Sequence, residues 1–127
     1  MKEKNKASTL FGKVFVDKQW YWVYILRCEN NTYYTGYTND LAKRYKSHVT
    51  GKGGCKYTRS FKPLGIAQSW RVSESKVLAM QLEREIKKLS RVEKENIISN
   101  PATLSKDPRV QAVEGGEIAE YIIPAKA

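Results

Sequence analysis

Aromatic and β-branched residues crowd positions 20–38 and then give way to helical spacing, and the change marks the first elements. Trp20 to Cys28 (WYWVYILRC) is dense in aromatic and β-branched residues and reads as a strand. Glu29-Asn30-Asn31 supplies a turn, since asparagine tolerates the left-handed backbone of tight hairpins. Thr32 to Thr38 (TYYTGYT) is the returning strand. A helix from Asp40 to about Val49 follows, capped by Asn39 or Thr38 and ended by Gly51. Gly51 to Lys62 reads as a basic, glycine-rich loop, and Leu64 to Val72 as a third strand after Pro63. Ser73 or Ser75 opens the longest helix, in which Leu78, Leu82, Ile86 and Leu89 form one apolar stripe. Ser90-Arg91-Val92-Glu93 is a capping box that restarts a helix to about Ile98, broken at Asn100-Pro101. The order ββαβαα predicts an α+β domain, a three-stranded antiparallel sheet with helices packed on it.

The 127 residues suffice for one domain. The reading divides them into a basic N-terminal tail (1–19), a folded domain (20–100) and a C-terminal extension of unknown role (101–127), with a strand expected at Ile118 to Ile123. Hydrophobic residues are 41% and charged residues 28%, a globular mixture. No apolar run has the length of about 18 residues that a membrane span needs, and Met1 to Ser8 is too polar to be a secretory signal. Cys28 and Cys55 are too few for a disulfide scaffold, so a cytoplasmic protein with reduced thiols is expected.

Charge narrows the partners. The net charge is +10, and residues 20–100 alone carry fifteen basic against seven acidic side chains. Such an excess attracts polyanions, either nucleic acid or an anionic membrane surface. Lys46, Lys52, Lys56, Arg59 and Lys62 cluster around the glycine-rich loop and are candidate phosphate contacts, although each alone reads as a solvated charge.

Candidate chemistry follows from the periods. Trp22, Tyr24 and Leu26 share one face of the first strand, and Tyr34, Gly36 and Thr38 one face of the second. A glycine inside a strand asks for a reason such as close approach of a backbone or ligand. Arg44 and His48 lie four apart on a helix and reach the same phosphate, unless both are ordinary solvated residues. His48, the only histidine, is the natural proton-transfer candidate, and no zinc site can be assembled from it and the two cysteines. Glu83 borders the apolar stripe, where a carboxylate holds a hard cation or simply pairs with Lys87 or Lys88.

Together these residues resemble a known family. Val23-Tyr24-Ile25 and Tyr34-Thr35-Gly36 are similar to the paired tripeptides of the GIY-YIG nucleases. The resemblance continues through Thr38-Asn39-Asp40-Leu41, Lys43-Arg44, His48, Lys56-Tyr57-Thr58-Arg59 and Glu83, and covers residues 20 to about 98. The whole stretch resembles the small single-domain bacterial branch similar to the nuclease domain of the excision-repair incision subunit. Trp22 replaces the first glycine of the pattern, and Thr35 stands in the middle of the second tripeptide.

The resemblance implies Tyr24 and Tyr34 as site tyrosines, Arg44 as catalytic arginine, Glu83 as ligand of one Mg²⁺ or Mn²⁺, and His48 at a position often histidine. Tyr24 or His48 would be the general base, with Gly36 structural beside them. The implied function is a metal-dependent, structure-directed DNA endonuclease in repair or recombination, with DNA as partner and no small-molecule cofactor. The alternative is a nucleic-acid-binding module of the same fold with little turnover. The joint presence of a carboxylate with the tyrosines, Arg44 and His48 favours the enzyme, since a carboxylate repels DNA unless a cation lies between them.

Overall fold

The computed structural model describes residues 19–52 and 56–113. Its centre is strand β1 (Trp20–Cys28), which pairs antiparallel with β2 (Thr32–Thr38) and with β3 (Pro63–Ser73). A short β4 (Val110–Ala112) adds to the far side of β3, so the sheet has four strands in the order β2-β1-β3-β4 rather than three. Residues after 100 are thus part of the domain as far as Val113. The expected strand at Ile118 to Ile123 falls outside the described residues.

Alternation along β1 sorts the core into two layers. Val23 and Ile25 face one way, packing with Trp70, Val72 and Val110 beneath Ala79 and Ile86 of helix α3 (Lys76–Lys88). Tyr24, Leu26 and Cys28 face the other way, against Leu41 and Tyr45 of helix α1 (Leu41–Thr50). Helix α4 (Arg91–Ser99) and a 3-10 turn (Pro101–Leu104) extend the α3 layer, where Trp70 Nε1 donates to the Pro101 carbonyl at 2.8 Å.

Helices α1, α3 and α4 each start where a side chain accepts from an otherwise unpaired N–H. Asp40 caps α1 through the Lys43 N–H, one residue later than Asn39 and two later than Thr38, while Thr38 Oγ1 accepts from the Asp40 N–H. Ser75 caps α3, and Ser90 with Glu93 forms the reciprocal box of α4. Gly51 ends α1 at φ 77°, where its lack of a side chain is required.

The stretch read as a loop contains a further helix, α2 (Lys56–Ser60). It runs along the α1 side of the sheet, so both the hairpin's tyrosines and the histidine of α1 are within its reach.

Candidate active site

The site is built on the hairpin. Tyr24 and Gly36 are directly paired across β1 and β2, and the tyrosine ring lies over the glycine. A Cβ at position 36 would stand 2.5 Å from Tyr24 Oη and 2.8 Å from Cζ. The close approach expected at this glycine is therefore made by the chain's own tyrosine.

Leu41, Tyr45 and His48 are the buried positions of α1, so the helix that packs on Tyr24 also delivers the imidazole. Tyr24 Oη and His48 Nε2 share a buried hydrogen bond of 2.8 Å. On the other side of the ring, His48 Nδ1 and Thr58 Oγ1 of α2 are 2.9 Å apart. All three residues are 1% exposed. Burial first, and the nearby Arg44 guanidinium second, hold His48 down at about 4 from its ordinary 6.5. The ring is thus neutral at physiological pH, one nitrogen carrying hydrogen and the other a lone pair.

Aromatic contacts extend from this line toward the surface. Tyr34 meets the His48 ring edge-on at 5.1 Å between centroids and stacks on Tyr57 of α2 at 5.9 Å, and Tyr57 meets Phe61 at 5.2 Å. Tyr57 Oη also bonds Thr32 Oγ1, tying α2 to the start of β2.

Tyr24, Tyr34, Gly36 and His48 are therefore brought together, with Arg44 close enough to act on His48. Arg44 also borders an open cleft of about 440 Å³ lined by Tyr21, Tyr37, Thr38, Asn39 and Lys76. That cleft joins α1 to the first residue of α3 around the end of β2. Glu83 stands on α3, and α3 packs on the opposite face of the sheet from Tyr24. One turn from both Ala79 and Ile86, its side chain is only 16% exposed, with the carboxylate 3.4 Å from Lys87 Nζ.

Lys46, Lys52, Lys56, Arg59 and Lys62 are all exposed. They belong to α1, α2 and the segments beside them. Lys62 is fixed by its main chain, which donates to Glu29 Oε1 at 3.0 Å and accepts from the Glu29 N–H at 2.9 Å.

Among the described residues, no group of three or more histidine, cysteine, aspartate and glutamate side chains is placed to hold a metal. A single, largely covered carboxylate nevertheless fits a Mg²⁺ that keeps most of its waters and takes phosphate oxygens from a substrate. Glu83 would be that ligand. Among the described residues no helix is long and apolar enough to cross a membrane.

Thr58 belongs to the Lys56-Tyr57-Thr58-Arg59 stretch, but nothing in the sequence pointed to its contact with His48. Its hydroxyl faces the histidine across ten positions, a distance at which neither helical nor strand period pairs residues.

An antiparallel hairpin that presents two tyrosines and a glycine to a helix-borne arginine and histidine defines a class. Residues 20–96 match the GIY-YIG catalytic domain, and the chain belongs to the GIY-YIG nuclease family. It is similar to the small UPF0213 proteins within that family. That of Fusobacterium nucleatum is 45% identical over 87 residues, covering 68% of this chain and 85% of the relative. That of Halalkalibacterium halodurans is 46% identical over 79 residues, covering 62% and 82%. The solution NMR structure of a UPF0213 protein from Bacillus halodurans is 43% identical, covers 63% of this chain and 83% of that one, and superposes with a TM-score of 0.39.

Proposed function

We propose that the protein is a metal-dependent DNA endonuclease, directed by DNA structure rather than a fixed sequence and serving repair or recombination in the cytoplasm. The observation that carries this reading is the buried hydrogen-bonded line from Tyr24 through His48, with Arg44 beside it. A binding surface alone has no use for a neutral imidazole held against a phenol.

In this reading the scissile phosphate rests on the Arg44 guanidinium, which stays charged and stabilises the added negative charge of the pentavalent transition state. The attacking water gives its proton to the Tyr24 oxygen while the phenolic proton passes to His48 Nε2. A phenol with a reference pKa of about 10 does not act as a base while it keeps its proton, and the imidazole lone pair behind it takes that proton as the water attacks. His48 Nε2 is engaged by Tyr24, so the imidazole acts through the phenol. The oxygen of the new bond comes from water, the P–O bond to the leaving oxygen breaks, and the leaving oxygen takes a proton from solvent. Glu83 would hold the divalent cation, which would supply neutralisation of phosphate and leaving-group charge. The exposed cations of α1 and α2 grip flanking phosphates and position the duplex without reading bases.

The test is cleavage of labelled single-stranded, duplex, flap and branched DNA with Mg²⁺ or Mn²⁺ against EDTA. Metal-dependent cutting that Glu83→Ala and Arg44→Ala abolish, with DNA binding retained, is the expected result. The binding-module alternative draws on the Glu83–Lys87 pair, which a cation has to displace. Tight binding with no cutting of any substrate decides for it.

A further inference from the structure

We propose that Thr58 is a positioning residue that fixes the tautomer of His48, leaving Nε2 as the acceptor for the Tyr24 proton. The proposal rests on the phosphodiesterase reading and adds to it the device that orients its base. The geometry is a straight assignment of partners: Tyr24 Oη at 2.8 Å from Nε2, and Thr58 Oγ1 at 2.9 Å from Nδ1.

A neutral imidazole has two ways to satisfy both bonds. In one, Nδ1–H donates to Thr58 and Nε2 accepts from the phenol. In the other, Thr58 donates to Nδ1 and Nε2–H donates to the phenol oxygen. A phenol is a far better donor than an alkyl hydroxyl, and an alkyl hydroxyl oxygen is a better acceptor than a phenol oxygen, whose lone pair is delocalised into the ring. The first arrangement therefore joins the stronger donor to the imidazole lone pair and the stronger acceptor to its N–H. The hydrogen bond made by one ring nitrogen sets the state of the other. Only this arrangement lets Nε2 receive a proton; in the other Nε2 already carries one.

Burial holds the Nδ1 side of the ring to Thr58, because His48 and Thr58 are each 1% exposed and water does not stand in for that partner. The placement of Thr58 has a second consequence. Helix α2 carries Thr58 inward and Lys56 and Arg59 outward, and its Tyr57 stacks on Tyr34. A phosphate held on the outer face of α2 thus bears on the same short helix that orients the imidazole.

Thr58→Val keeps the shape and removes the hydroxyl, and Thr58→Ser keeps the hydroxyl. The native protein should show ring nitrogen shifts in a ¹⁵N NMR spectrum with Nδ1 protonated and Nε2 unprotonated, readily assigned because His48 is the only histidine. Thr58→Val should move the proton toward Nε2 and lower kcat by roughly 10²- to 10³-fold, the range of a misplaced general base, with KM within about twofold. Thr58→Ser should restore both readouts. Circular dichroism and thermal unfolding of each variant confirm the fold; should the valine variant not fold, the native ring shifts and the serine variant decide. Protonated Nε2 in the native protein overturns the proposal, as does a folded valine variant with native kcat. If the native protein cuts no DNA, the endonuclease reading falls, while the ring shifts still decide the role of Thr58.

Discussion

Gly36→Ala is the smallest change that separates packing at this site from its chemistry. Gly36 needs no unusual backbone, since among the described glycines only Gly51 has a positive φ. Its lack of a side chain serves Tyr24 alone. The added Cβ stands 2.5 Å from Tyr24 Oη, against about 3.4 Å for ordinary contact, so the hydroxyl must retreat by about 0.9 Å. Little room exists for that movement, because the ring is 1% exposed and packed with Leu26, Cys28, Leu41 and Tyr45. Overpacking of this kind costs about 1–3 kcal/mol. The chemical effect is larger, since a displacement near 1 Å breaks the 2.8 Å bond to His48 and lowers the rate roughly 10²-fold. Urea denaturation would read the first effect and single-turnover cleavage the second. Tyr24→Phe/Gly36→Ala removes the Oη clash but keeps the Cζ contact at 2.8 Å, so stability should recover in part while activity stays low. A Gly36→Ala protein with native stability and native rate would refute the close packing of Tyr24 and the role given to it.

Three further outcomes follow from the same geometry. His48 titrates at about 4 in the folded protein and 6.5 in the unfolded chain, so its contribution is fully present above pH 6.5 and is lost as pH falls through 4; it amounts to about 3 kcal/mol. Urea midpoints across that window should show this loss, and a His48→Gln variant that keeps the same slope would contradict it. Truncation after Asn100 removes β4 and uncovers Trp70, with Val110 and Val113 lost from burial; at about 1.5–3 kcal/mol per buried valine, thermal unfolding should fall steeply. An unchanged Tm would show that β4 does not hold the sheet. Alanine at Lys52, Lys56, Arg59 or Lys62 should each flatten the dependence of DNA affinity on log salt by up to about 0.9. A residue whose removal leaves that slope intact makes no phosphate contact.

How far the chain announced this arrangement depends on how local each signal is. The hairpin was legible because alternation over nine residues assigns faces without tertiary information, and Tyr24, Tyr34 and Gly36 follow from those faces. His48 was legible by spacing, falling seven residues after Leu41 on the buried side of α1, although composition alone would leave it solvated. Helix α2 was not: five residues, KYTRS, are too few to show a 3.6 period, and glycine and lysine before them dominate the reading. The same brevity hid β4, whose three residues become a strand only because Trp70 and Val72 of β3 offer an edge. Glu83 shows the opposite limit. Its place at the border of the apolar stripe is readable from helical spacing and agrees with its 16% exposure. That α3 lies across the sheet from Tyr24 is a matter of topology, which no local period encodes. The open cleft that takes in Arg44 and Lys76 reaches from α1 to the first residue of α3 around the end of β2.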